Sequence, residues 1–274
     1  MRPLIYQPSP LAYPGGAPGF DPTHPAAAGI RMSVAASPSS TTFIDILHGK
    51  TTTPSGTVGA MMQGTIGPAL QSTTGFILSG NPAIVDSVYM FATIVIVTAA
   101  LGGGGNGSII DTSSAGGSTT GTIFGINTPS STPFFSVAWP GHASYVSNIS
   151  PTLSVPYFVA CNWILSSGTA YFVAVNMLTG AVKTSTVTGT TTAVSTSNGS
   201  YIIGSDFGGA TNYLRGYVAA AMWSTVTLGP PGILQMAQRP WDFWYPLSAQ
   251  QFLFTSLRAP LLTRRPYVQG MIIG

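Results

Sequence analysis

The sequence predicts an all-β fold: a sandwich of two antiparallel sheets, with one short helix near its C-terminal end and an extended N-terminal arm. Three observations lead there. The first is composition. Lys, Arg and Asp together make up 5% of the 274 residues, and Glu is absent. Helix formers are therefore scarce, while the strand-favouring Val, Ile, Thr, Tyr and Phe are plentiful. The second is punctuation. Apolar runs alternate with turn clusters such as "SGNP", "GGGGNG", "SSAGGS", "NTPSSTP", "SSGT", "LTG" and "SNGS", the rhythm of a two-sheet β domain. The third is period. In "AYFVAVN", Tyr171, Val173 and Val175 share one face, and Phe172 and Ala174 the other.

Residues 1–29 form the arm. Pro3, Pro8, Pro10, Pro14, Pro18, Pro22 and Pro25 bar both helix and central strand. Leu4, Ile5, Tyr6, Leu11, Tyr13 and Phe20 are spread among them. A solvated linker rarely carries such residues. They are expected to dock the arm into grooves on a neighbouring subunit; a floppy tail is the alternative.

Residues 30–246 form the sandwich. Strands are expected at Met32–Ala35, Thr42–Leu47, Ala69–Leu78, Val88–Ala99, Ser108–Asp111, Thr120–Ile126 and Phe134–Trp139. Further strands are expected at Tyr157–Leu165, Tyr171–Asn176, Ala181–Val187, Tyr201–Gly204 and Arg215–Ser224. The most apolar run, Val88–Leu101, is too short for a membrane helix, which needs about 20 residues. It is rich in β-branched residues and reads as a buried strand. A helix is expected from Pro231 to Gln238, with Pro at its first turn, Ile233, Leu234 and Ala237 on one face, and Pro240 ending it. It leads into the aromatic cluster "QRPWDFWYP". Trp241, Phe243, Trp244 and Tyr245 either plug an open end of the sandwich or form a sugar-stacking platform. Residues 247–274, with Arg258, Arg264 and Arg265, form a tail expected to pack on this domain or on a partner.

Four stretches carry a family resemblance: "GTIGPALQSTTGFI" (64–77), "DSVYMFATIVIVT" (86–98), "PYFVACNWILSSGTAYFVAVNMLTG" (156–180) and "YLRGYVAAAMWSTVTLGPPGILQMAQRPWDFWYP" (213–246). The last is the most specific: an aromatic-Gly strand, then Leu, a short helix and Pro-Trp before an aromatic end. Together they resemble concanavalin A-like, laminin-G-type jelly-roll domains of bacteriophage virion proteins. Where that type of helix opens with a capping box, this chain has Gly229 and Gly232. The turn written Asn-Gly in the family is the longer "VNMLTG" here.

The resemblance implies a virion structural protein assembled in a bacterial host, most simply a capsid decoration or head-fibre protein anchored by its arm. Its partners would be other virion proteins and symmetry-related copies, as a homo-oligomer. A tail-associated lectin-like adhesin that binds host glycan is the alternative. A surface so poor in charge is either covered by other subunits or clothed in neutral polar groups.

Chemistry is sparse. Asp21, Asp45, Asp86, Asp111, Asp206 and Asp242 are far apart in sequence. None forms the carboxylate pair of glycoside hydrolysis, so no enzyme and no catalytic residue is expected. His24, His48 and His142 lack metal-ligand spacing, and no metal or cofactor is expected. A rim calcium held by Asp111 and Asp206 competes with an ordinary turn at "GSDFGGATN". Cys161 sits in "VPYFVACNWIL" and reads as a buried, inert thiol. No basic stripe with interleaved aromatics marks a nucleic-acid face. No signal peptide is expected, because prolines occupy the apolar core such a segment needs.

Overall fold

Val88–Val97 is buried along almost its whole length, on both faces. That fact organises the molecule. A strand with one face in water alternates apolar and polar residues, whereas one buried on both sides reads as an unbroken apolar run. Here Tyr89, Phe91, Val95 and Val97 enter the core between two sheets. Met90, Ala92, Ile94 and Ile96 enter a second core on the opposite side of the same sheet.

The computed structural model describes residues 11–15, 18–19, 22–37, 40–81, 84–100, 105–113, 121–129, 131–138, 144–192, 195–196, 199–205 and 212–245. In chain order the strands are β1 (Ile30–Ala36), β2 (Phe43–Asp45), β3 (Lys50–Thr51), β4 (Thr53–Pro54), β5 (Val58–Gln63), β6 (Gly67–Ser72), β7 (Phe76–Leu78), β8 (Val85–Asp86), β9 (Val88–Val97) and β10 (Gly105–Asp111). They continue with β11 (Ile123–Thr128), β12 (Phe134–Ala138), β13 (Ser144–Val146), β14 (Pro156–Ile164), β15 (Thr169–Asn176), β16 (Val182–Thr188), β17 (Ser195–Thr196), β18 (Tyr201–Ile203) and β19 (Gly216–Ser224). A short 3-10 helix spans Pro25–Gly29 and one α-helix, α1, spans Gly229–Gln238.

Ten strands form the larger sheet, in the order β16-β15-β14-β9-β19-β1-β2-β3, with β6 beside β19 and β5 outside β6. Seven form the facing sheet, β13-β12-β11-β10-β18-β7-β4, and β17 pairs with β8 alone. The pairings between named strands are antiparallel. Among the described residues, the expected antiparallel two-sheet sandwich with one short α-helix is the observed fold.

Aromatic residues fill the inter-sheet core. Tyr89 lies 5.8 Å from Trp223 and 6.3 Å from Trp163, ring centre to ring centre, and Phe91 stacks on Phe124 at 5.4 Å. Cys161 is fully buried between Phe91 and Phe172 in the register. Burial pushes its thiol well above the ordinary value, which leaves it unreactive.

The expected single strand Ala69–Leu78 is two strands in two different sheets. The chain turns at residues 73–75, where Gly75 has φ 91°. The Ser72 hydroxyl accepts hydrogen bonds from the amides of Thr74 (3.2 Å) and Gly75 (3.0 Å). A serine turn with a left-handed glycine lets the strand change sheets. The short strands β3, β4, β5, β8, β13 and β17 carry too few residues, or too weak a pattern, to stand out in sequence. Pro54 is tolerated because β4 is an edge strand.

Helix α1 begins two residues earlier than expected. Leu228 at its N-cap makes no side-chain cap bond, and Pro occupies the first turn instead. Its buried residues are Ile233, Met236 and Ala237, and it packs against β14 and β15. The helix and the aromatic cluster therefore do not plug an end of the sandwich. They cover the outer face of the larger sheet as a lid. Trp241, Phe243, Trp244 and Tyr245 are all at most 5% exposed. Each such ring buries some 150–250 Å², or about 4–6 kcal/mol at the upper bound. The bulge between Val218 and Ala220 turns both Ala219 and Ala220 toward this second core. The tail 247–274 lies outside the described residues.

A candidate functional site at the rim of the lid

The lid is held by the arm. The Tyr13 amide donates to the Thr65 carbonyl (2.8 Å), and the Gly19 amide donates to the Trp244 carbonyl (2.8 Å). The Tyr13 ring meets Trp241 and Tyr245 edge-on, at 5.3 Å each, and His24 meets Phe243 at 5.5 Å. The Tyr245 hydroxyl donates to that of Tyr13 (3.5 Å). Burial, aided by this bond, pushes the Tyr245 phenol far above its ordinary value.

Between the arm and the helix lies a cleft of about 480 Å³. Gly232, Gln235, Met236 and Arg239 fall on one face of α1 by the i, i+3, i+4, i+7 spacing, and that face lines the cleft. Beyond the helix, tight turns keep the chain close. The Asp242 amide donates to the Arg239 carbonyl (3.2 Å), and the amides of Trp244 and Tyr245 donate to the Trp241 carbonyl. This returns Asp242 to the cleft opposite Arg239. Their side chains meet at 3.5 Å and are 33% and 60% exposed. Leu228 and Met236 supply apolar wall, while His24, Gln235 and Gln238 add polar groups.

Burial raises the Asp242 carboxyl above its ordinary value, and Arg239 and His24 pull it part of the way back. The guanidinium has five donors and the carboxylate about four acceptor positions, so one contact at 3.5 Å leaves most of that capacity for a ligand. Within 480 Å³ the cleft presents matched donors and acceptors over an apolar wall, the usual make-up of a small-ligand site.

The residues singled out in the sequence fall elsewhere. Tyr13 and Leu11 pack on this chain's own second core. Leu4, Ile5, Tyr6 and Phe20 lie outside the described residues. The aromatic cluster is buried beneath the lid surface, so its rings offer no open stacking platform. Asp45 accepts from the Leu47 amide (3.1 Å) and pairs with His48 Nδ1 (2.6 Å). Asp86 accepts from the Ser87 amide and Asp111 from the Ser113 amide, each at 2.7 Å. Each of these three carboxylates is tied to its own turn. Asp21, Asp206 and His142 lie outside the described residues, and among the described residues no group of three or more His, Cys, Asp or Glu gathers to hold a metal. No helix among the described residues is long and apolar enough to cross a membrane. Sequence reasoning missed the cleft; the available signal was Arg239 and Asp242, three residues apart in a chain nearly free of charge.

No protein-family model matches the chain, and no curated protein matches it. Solved structures are similar in fold. Trypanosoma rangeli sialidase is 11% identical, with a TM-score of 0.50 over 80% of this chain and 34% of its own. A full-length tailspike protein of an Escherichia coli O157:H7 bacteriophage is 14% identical, with a TM-score of 0.39 over 58% of this chain and 23% of its own. A heptameric SAP-like pentraxin from Limulus polyphemus is 9% identical, with a TM-score of 0.40 over 66% of this chain and 80% of its own. The chain thus spans about a third of the sialidase chain and under a quarter of the tailspike chain. The sialidase match corrects one expectation. The scattered carboxylates predict no enzyme, yet a solved structure similar in fold is a sialidase, so that exclusion falls. At such identities the likeness is one of fold alone: a two-sheet β-sandwich.

Proposed function

We propose that this chain is a phage-associated glycan-recognition module, an adhesin whose binding site is the cleft between the arm and α1. The Arg239–Asp242 pair carries this reading. In a chain with so few charges, one cation and one anion share a single cleft and cancel. An anionic ligand would meet Asp242, and a cationic one Arg239. A neutral ligand bearing adjacent hydroxyls satisfies both: one oxygen accepts from the guanidinium while its neighbour donates to the carboxylate. Gln235 and Gln238 each add a donor and an acceptor, and the half-buried Leu228 can receive a sugar's C–H face. The phage association rests on the resemblance of residues 213–246 to virion jelly-roll domains. The test is a glycan array probed with the full chain. A neutral oligosaccharide hit that Arg239→Ala abolishes supports the reading; an array without a hit overturns it.

A capsid decoration or head-fibre role is the second reading. It is favoured by the apolar residues the surface leaves open, with Met62 63%, Val85 60%, Leu178 56% and Val182 50% exposed. Because Tyr13, Gly19 and His24 brace the lid, anchoring by the arm is tested by deleting residues 1–10 only. Particles that lose the truncated chain, while its melting curve is unchanged, support arm anchoring. Particles that retain it count against it.

A further inference from the structure

We infer that β16 is a pairing edge for a second copy of this chain, joined antiparallel about a two-fold axis through Ser185. Among the described residues, β16 ends the order of the larger sheet, with β15 on its only paired side. Its ladder with β15 runs from Thr169↔Thr188 to Val175↔Val182 without a bulge. Edges that must stay solitary are usually broken by bulges, prolines or several charges. β16 has no bulge and no proline, and a single charge, Lys183.

Hydrogen-bond parity fixes which groups are open. At one end of the hairpin the Asn176 amide donates to the Ala181 carbonyl; at the other the Gly189 amide donates to the Gly168 carbonyl, each at 2.9 Å. Bonded pairs alternate along an antiparallel ladder. Residues 183, 185 and 187 therefore spend their backbone groups on β15. Residues 182, 184, 186 and 188 point theirs outward. A two-fold axis through Ser185 sets Thr184 against Thr186 of the second copy, and Val182 against Thr188. Every outward-pointing residue then meets an outward-pointing partner, and about eight N–H···O bonds form.

The side chains agree with that register. Thr184 and Thr186 are exposed on the same face of the sheet and form cross-strand Thr pairs, a favourable combination. Lys183 falls opposite Val187, so no like charges meet. Val182, half exposed, is covered by the partner's Thr188. The contact is isologous and closes at two copies, as a two-fold interface must.

Sedimentation velocity of the full chain over a concentration series tests this. The parent is expected to be a reversible dimer. Thr186→Pro removes only an outward N–H, which an edge strand tolerates, and is expected to weaken association at least tenfold. Thr184→Lys with Thr186→Lys sets like charges face to face and is expected to give monomer. Thr184→Lys with Thr186→Glu sets opposite charges face to face and is expected to restore the dimer, in a salt-sensitive form. A parent that is monomeric at every concentration overturns the inference, as does a Thr186→Pro variant that dimerises like the parent. If circular dichroism shows Thr186→Pro unfolded, the two charge variants decide, and equal association in both overturns it.

Discussion

The ring of Tyr13 meets the indole of Trp241 edge to face, with centroids 5.3 Å apart and planes at 68°. A residue near the start of the chain thus braces one near the end of the described fold. Tyr13 touches Tyr245 in the same way. Tyr13→Ala removes both contacts and part of the lid's cover. The expected cost is about 2–3 kcal/mol, below the range for a fully buried aromatic because Tyr13 is only half buried. Tyr13→Phe keeps the ring and should cost under about 1 kcal/mol, the worth of one partly exposed hydrogen bond. Urea unfolding midpoints of the two variants check this.

Gly67 is the seat on which that ring rests. It has φ 65°, and a Cβ there would lie 2.6 Å from the Tyr13 ring. Gly67→Ala meets left-handed strain of about 1–2 kcal/mol and also pushes the arm off its site. Limited proteolysis should cut the arm of this variant faster than that of the parent.

Trp244 is fully buried in the second core. Trp244→Ala should cost about 3–5 kcal/mol, read from denaturant unfolding. A midpoint equal to the parent's would show that the lid does not hold the outer face of the sheet.

Asp242 gives the lid a pH dependence. Its carboxyl is raised above the ordinary value of 3.8, first by burial, against the pull of Arg239 and His24. The folded state therefore holds this proton more tightly than the unfolded chain does. The residue's contribution favours folding below the ordinary value and is lost as pH rises through the raised one. Asp242→Asn stays uncharged throughout, and the exposed ion pair it gives up is worth little. The variant should match or exceed the parent's stability at neutral pH, and its advantage should shrink on acidification. Urea midpoints across that range give the comparison.

Much of the scaffold was legible because burial on both faces leaves continuous apolar runs. Val88–Val97, Pro156–Ile164 and Gly216–Ser224 stand out for that reason. The helix was legible from Pro231, Ile233 and Pro240. The split of Ala69–Leu78 was not, because it depends on Ser72 closing a turn rather than on hydrophobicity. The lid's position was also hidden: an apolar run signals burial but not that two separate cores supply it. The cleft was hidden for a different reason. His24 comes from the arm, and Arg239 and Asp242 come from the end of the helix, so no local spacing announces their meeting. Scarcity of carboxylates likewise says nothing about which ones a fold brings together, and the inference from it to enzymatic inactivity failed.

Isothermal titration of the full chain with the strongest glycan from the array, beside Arg239→Ala and Gln238→Ala, is the most direct measurement of the cleft's role. Both variants should lose at least tenfold in affinity, about 1.4 kcal/mol, while their melting temperatures stay within a few degrees of the parent's. Undiminished affinity in both variants would place the binding site elsewhere and contradict the assignment of the cleft.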